Sequence, residues 1–142
     1  MKVIIKNHQK KIPLHPKRIK QAILKALSSE SIKRPGEITV CFVSDLTIRK
    51  MNLRFLGKDQ PTDVLAFDSG EIAVSTDAAI RHAKIFGTSP LYELYLYVVH
   101  GLLHILGYQD RTRKQREHMQ EKAENILRAL SLCPFTKQKR SS

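Results

Sequence analysis

Residues 91–106, LYELYLYVVHGLLHIL, constrain the fold more than any other part of the chain. The segment is hydrophobic nearly all round at helical spacing, which is typical of a helix buried on most sides. It carries Glu93, His100 and His104 and is shorter than the ~20 residues that a membrane-spanning helix needs. It therefore predicts the central helix of a globular domain that does not enter a membrane, and the rest of the chain must cover this helix.

The flanking patterns predict four strands and four more helices. Runs rich in β-branched and aromatic residues predict strands at residues 2–5, 37–43, 62–67 and 71–75, with the last two joined as a hairpin. Helix-capping residues and apolar spacing predict helices that start at Pro16, at Ser44, at Thr76 or Asp77, and at Thr112, where Gln115 completes a capping box. Gly87 and Gly107 are expected to end the helices that precede them. A turn is predicted at residues 34–36.

This order of elements predicts an α+β fold, with a mixed four-stranded sheet packed against about five helices. One domain is expected over residues 1–134, since the last helix should stop near Leu130 and Pro134. Residues 135–142 are expected to form a basic, disordered tail.

Charge is distributed unevenly along the chain, which has a net charge of +12. Residues 1–36 contain ten lysines and arginines against one acid, and residues 111–142 contain nine against three. Residues 37–110 contain six against nine, so basic ends flank an acidic centre that holds the histidine pair. A chain this basic favours a polyanionic partner, most often nucleic acid, although lysine-rich faces that are merely solvated are the alternative.

Cysteine usage and the N-terminus indicate a cytoplasmic protein. Cys41 and Cys133 fit neither a disulfide nor a metal-binding spacing, which suits a reducing compartment. No apolar run follows the first basic residues, so no signal peptide is expected.

His100 and His104 predict a metal site. Histidines four residues apart point the same way from a helix, so both rings can reach one ion at about 2.0–2.1 Å. A turn at Gly107 could bring the carboxylate of Asp110 back as a third ligand. Two alternatives stay open. The histidines could be satisfied core residues, and Asp110 could cap the last helix or pair with Arg111 or Arg113.

Gly101 argues against a protease. Zinc proteases of the H-E-x-x-H type carry a glutamate directly after the first histidine as the general base. Glycine has no side chain that could accept a proton. Glu93 lies two turns before His100, and we interpret it as a helix-start or supporting acid, not as a ligand.

Three motifs in matching order resemble the YbeY family of metal-dependent endoribonucleases. They are HGLLHILGYQD at 100–110, GKDQPTDVLAF at 57–67 and GEIAVS at 70–75, within a similarity that covers residues 40–128. The resemblance implies a zincin-like fold with one Zn²⁺ per chain. It also implies cleavage of single-stranded RNA, notably near the 3′ end of 16S rRNA, and association with the small ribosomal subunit.

Carried over by position, His100 and His104 match the first two zinc ligands, and Asp110 stands where the family normally has a third histidine. Carboxylate oxygen also binds zinc, so the change is chemically sound, although it lowers the charge of the site. Many family members carry an arginine where this chain has Leu56. The two departures leave the predicted fold unchanged and predict weaker activity.

The leading hypothesis is zinc-assisted hydrolysis of a phosphodiester, in which the ion polarises a phosphoryl oxygen, activates water, or does both. Asp63 and Glu71 are the candidate catalytic bases, although each also suits a turn cap or an ordinary edge carboxylate. The candidate RNA contacts are Lys58, Arg54 and Arg111. The rival hypotheses are a non-catalytic ribosome-assembly factor with a structural metal and a metal hydrolase with another substrate.

Overall fold

One mixed sheet forms a layer of the computed structural model, which describes residues 2–28, 36–132 and 134. The strands are β1 (Lys2–Asn7), β2 (Glu37–Val43), β3 (Val64–Ala66) and β4 (Glu71–Ser75), in the order β1-β2-β4-β3. β1, β2 and β4 are parallel, and β3 pairs antiparallel with β4 at the edge. Ile38, Val40 and Phe42 alternate along β2 and are fully buried, because every second side chain points to the same face of the sheet.

Within the described residues five helices accompany the sheet, which confirms the predicted α+β architecture. They are α1 (Pro16–Ser28), α2 (Asp45–Leu56), α3 (Thr76–Phe86), α4 (Pro90–Ile105) and α5 (Arg113–Ala129). Ser44 and Ser89 cap α2 and α4, and Thr112 forms the predicted capping box with Gln115. Residues 34 and 35 of the predicted turn and the predicted tail at 135–142 lie outside the described residues, so the domain boundary at 134 stays a prediction.

Three predicted elements had wrong bounds. The first strand, predicted at 2–5, runs to Asn7 because it stays paired with β2 up to Phe42. Ser75 caps α3, rather than Thr76 or Asp77, because β4 ends in extended backbone at Ser75, whose hydroxyl accepts from the Ala78 N–H at 3.1 Å. The strand predicted at 62–67 is shorter, at Val64–Ala66. At one end the ladder with β4 starts only at the pair Val64 and Val74. At the other end the chain turns at residues 67–70, where the Gly70 N–H donates to the Phe67 carbonyl.

Helix α4 is the centre of the molecule, as predicted. It packs against β3 and β4 on one side and against α1, α3 and α5 on the others. Most of its residues are buried, among them Leu94, Val99, Leu102 and Leu103. Among the described residues no helix is both long enough and apolar enough to cross a membrane.

Gly101 lets α4 approach the sheet closely. A β-carbon at this position would lie 2.7 Å from Cγ2 of Ile72 on β4 and 3.2 Å from Cγ2 of Val64 on β3. The first distance is far inside normal carbon–carbon contact of about 3.5–4.0 Å. The position after His100 therefore has no room for the glutamate of a zinc protease.

We expect Gly101→Ala to lower the free energy of unfolding. Overpacking a core costs about 1–3 kcal/mol, which exceeds the ~1 kcal/mol or less that alanine gains over glycine within a helix. Urea unfolding measures the difference. Gly36→Ala is the control, because nothing lies within 4 Å of a β-carbon placed there. A Gly101→Ala protein as stable as the parent would contradict this account of the packing.

Candidate metal centre and adjoining cavity

The loop after α4 brings Asp110 back to the histidines. α4 ends at Ile105, and Gly107, with a φ of 103°, reverses the chain. His100, His104 and Asp110 then line one cavity of about 230 Å³. Oδ2 of Asp110 lies 3.2 Å from Nε2 of His104. The helical spacing and the turn at glycine thus place the three predicted ligands together.

The side chain of Asp110 is not used in either alternative way. Thr112, not Asp110, caps α5. Arg113 pairs with Glu117, and in the described part of the chain His104 is the only ion-pair partner of the Asp110 carboxylate. The carboxylate therefore serves the histidine pair and not the start of α5.

His100 carries a buried nitrogen without a partner. Its Nε2 atom is inaccessible to solvent and has no hydrogen-bond partner of normal geometry among the described residues. The Gln120 side chain is close enough to the ring to favour its charged form. Burial lowers the pKa of His100, and the nearby Asp63 carboxylate opposes that shift. A buried polar atom without a partner costs about 1–3 kcal/mol, so a ligand that binds this nitrogen would offset that cost.

The side chains of His100, His104 and Asp110 are chemically suitable ligands for a zinc ion. Two imidazoles and one carboxylate are the ligand types of catalytic zinc sites, which leave one position open. Yet the described residues hold no group of three or more His, Cys, Asp or Glu side chains arranged closely enough to hold an ion. Asp110 instead contacts the nitrogen of His104. The ligand roles of His100, His104 and Asp110 therefore stay predictions, which the orphaned His100 nitrogen supports.

The two candidate bases lie at opposite ends of the β3–β4 hairpin. Asp63 lines the cavity with the histidines, and its carbonyl accepts from the Ser75 N–H at 2.9 Å. Glu71 pairs across the hairpin turn with Phe67 and does not line this cavity. The structure brings Asp63, and not Glu71, to the predicted metal site.

Sequence reasoning missed two residues of this cavity, Arg116 and Gln120, which lie one turn apart on α5. The Arg116 guanidinium donates to the backbone carbonyls of Asp110 and Arg111, both at 3.3 Å. Arg116 thus holds the loop that carries Asp110. The sequence shows that Arg116 and Gln120 share one face of α5, because they are four residues apart. It does not show which face of α5 packs against α4.

None of the three predicted RNA contacts, Lys58, Arg54 and Arg111, lines this cavity. Arg54 places its guanidinium 5.5 Å from the centre of the Phe55 ring, at the end of α2. Lys58 follows that helix, and Arg111 is exposed beside Asp110. Leu56 is 53% exposed, so this apolar side chain faces solvent.

A larger cavity of about 540 Å³ adjoins the first and shares Asp63, His100 and Gln120 with it. Glu93 and Tyr97 line it, so the polar residues Glu93, Tyr97, His100 and His104 of α4 each line one or both of two cavities that share a wall. Burial is the main cause that raises the pKa of Glu93, and the hydrogen bond from Thr88 opposes the shift.

His82 and Tyr97 are joined on the wall of the larger cavity. The Tyr97 hydroxyl lies 2.5 Å from Nδ1 of His82. Burial also raises the pKa of Tyr97, which keeps its hydroxyl protonated. This contact fixes the two rings at nearly a right angle, at 89°.

Known proteins match this chain over most of its length. The family model described as Endoribonuclease YbeY matches residues 4–131. A protein named Endoribonuclease YbeY from Roseiflexus sp. (strain RS-1) is 35% identical, with 80% of this chain and 82% of the relative covered. Its namesake from Syntrophus aciditrophicus (strain SB) is 33% identical, with 95% and 93% covered.

A solved structure shares the fold. The solution structure of TM1509 from Thermotoga maritima superposes with a TM-score of 0.64 at 26% sequence identity, covering 91% of each chain. The resemblance seen in the three motifs is thus confirmed over nearly the whole sequence. This chain belongs to the YbeY endoribonuclease family.

Proposed function

We propose that this protein is a zinc-dependent endoribonuclease that cleaves single-stranded RNA. The observation that carries the proposal is the buried, unpartnered His100 nitrogen in a cavity shared with His104 and Asp110. The relatives named as endoribonucleases supply the class of reaction. Hydrolysis at a phosphodiester suits a centre that pairs a metal with nearby basic side chains.

In this proposal His100, His104 and Asp110 hold the zinc ion. When bound, zinc supplies a Lewis acid that polarises a phosphoryl oxygen and promotes deprotonation of water. Asp63, on the wall of both cavities, is placed to accept a proton from the attacking water. Arg116 keeps the loop of Asp110 in position through its two carbonyl contacts.

We further propose a role in 16S rRNA 3′-end maturation on the small ribosomal subunit, in the cytoplasm. The net charge of +12 supports a partner rich in phosphates. The sequence carries this excess of charge in its two ends, residues 1–36 and 111–142, so a large RNA particle suits this protein better than a short oligonucleotide.

Chelation should remove RNA cleavage, and zinc should restore it. We expect untagged protein to contain about one zinc per chain by elemental analysis, because the site offers two imidazoles and a carboxylate. Protein stripped with a chelator is then offered a single-stranded RNA, before and after adding zinc. Circular dichroism of the stripped protein shows whether the fold survives.

Two outcomes would contradict the proposal. Stripped protein that cleaves RNA as fast as the zinc-loaded protein would exclude a catalytic metal. Zinc-loaded protein that binds RNA without cleaving it would favour the non-catalytic assembly factor, to which the exposed Leu56 also points.

A further inference from the structure

The larger cavity is acidic, although the protein as a whole is strongly basic. Asp63, Glu93 and Glu124 line it, and no lysine or arginine is found among its described lining residues. Three carboxylates disfavour a phosphate group within the cavity. A group that enters should therefore be uncharged or cationic and should carry N–H donors.

Glu93 presents a fixed acceptor to this cavity. The residue is only 4% exposed and lies in the first turn of α4, where its N–H donates to the Ser89 carbonyl at 3.1 Å. The Thr88 hydroxyl donates to its Oε2 at 2.8 Å, whereas Oε1 accepts no hydrogen bond from a described residue. Oε2 is thus anchored by Thr88 and keeps a second acceptor position, and Oε1 is free to accept from a ligand.

Flat side chains flank that acceptor. Phe86 lies at the rim and is 64% exposed, with its ring centre 5.8 Å from that of His82. Tyr92 and Tyr97 also line the cavity, and Tyr97 holds His82 in place. Aromatic faces beside a hydrogen-bonding group are how proteins receive bases that have left the stack of single-stranded RNA.

We propose that this cavity binds one base of the RNA substrate and selects guanine, an inference that rests on the proposed ribonuclease function. Guanine carries two adjacent donors on its Watson–Crick edge, N1–H and the 2-amino group, which match the two oxygens of a carboxylate. Adenine, cytosine and uracil each place an acceptor beside their donor, which would face the Glu93 carboxylate unfavourably.

The position of the cavity relates the base to the chemistry. Because Asp63, His100 and Gln120 border both cavities, a base held by Glu93 belongs to a nucleotide close to the cleaved phosphodiester. The selected guanine should therefore appear as a preference in the sequence next to the cleavage point.

Nucleoside binding tests the pocket without needing cleavage. Guanosine is titrated into the protein and followed by NMR, with inosine, adenosine and cytidine as comparisons. We expect inosine, which lacks the 2-amino group, to bind several-fold more weakly and Glu93→Gln to bind guanosine about tenfold more weakly, as for a lost bidentate base contact. Glu121→Gln removes an exposed carboxylate of α5 outside the cavity and should leave binding unchanged.

Phe86→Ala provides a second variant that is safe for folding, because the ring is mostly exposed. It should weaken all four nucleosides to a similar extent. The proposal is overturned if adenosine or cytidine binds as tightly as guanosine, or if folded Glu93→Gln binds guanosine like the parent. If guanosine binds selectively and no RNA is cleaved, the pocket stands and the proposed ribonuclease function fails.

Discussion

Replacing His104 with alanine is expected to abolish stoichiometric zinc binding and, with it, RNA cleavage. His104 shares a cavity with His100 and contacts Asp110 at 3.2 Å, so its loss leaves the predicted site with two ligands at most. His118→Ala is the matched control. That ring stacks with Tyr108 at 6.0 Å between centres and does not line the cavity. Zinc content by elemental analysis and affinity by competitive titration give the comparison.

The zinc affinity of Asp110→Ala should lie between the affinities of these two variants, because the substitution removes one oxygen ligand at a loop and leaves the buried helix intact. Asp110→His should restore zinc affinity or raise it above that of the parent. Equal zinc affinity of the His104→Ala and His118→Ala proteins would show that the ligands are elsewhere. Parental affinity in Asp110→Ala would show that Asp110 only pairs with His104.

RNA affinity is expected to fall steeply with salt. The net charge of +12 suggests that several phosphates are neutralised on binding, which releases their counterions. With six or more such contacts, affinity for single-stranded RNA should drop by about a hundredfold to a thousandfold between 50 and 200 mM salt. Fluorescence anisotropy with a labelled oligonucleotide, at constant pH and zinc, measures the slope.

A flat salt dependence would show that the basic ends serve another partner. If the slope of log affinity against log salt is intermediate, single substitutions show which lysines contribute to it. Replacing a lysine that contacts a phosphate with glutamine should lower the magnitude of that slope by about one. Lys17 and Lys20, exposed on α1, are suitable first substitutions. Neither lines the two cavities, so cleavage chemistry is not disturbed.

Most of the fold was predictable because the local sequence patterns, such as β-branched runs and helix caps, favour the same secondary structure that the packed core requires. The bounds of β2 and β4 match the predicted segments, since their β-branched runs are flanked by turn and capping residues. The start of α3 was misplaced because Ser75, Thr76 and Asp77 can all cap a helix. The register of β4 decided between them, and all three polar groups are used, with Thr76 donating to the Val43 carbonyl and Asp77 pairing with Lys11.

The candidate site was predictable only where one element determines it. Helical periodicity placed His100 beside His104, and Gly107 indicated the reversal toward Asp110. The contribution of α5 depends on how two helices pack, so neither Arg116 nor Gln120 could be placed from the sequence. The acidic cavity was hidden for the same reason, because Glu124 and Glu93 meet only after α5 docks against α4.

Helix α4 carries both the proposed base-binding residue, Glu93, and two of the predicted metal ligands. Glu93 and His104 stand eleven residues apart on it, which is about 16 Å along the axis at 1.5 Å per residue. The close contact of Gly101 with the sheet prevents the helix from sliding or rotating. The separation between the proposed base site and the predicted metal site is therefore set by a single helix. A single residue inserted between Glu93 and His100 would turn one end of α4 by about 100° relative to the other, so Glu93 would no longer point to the same side as the histidines, and the buried face of the helix would lose its register with the core.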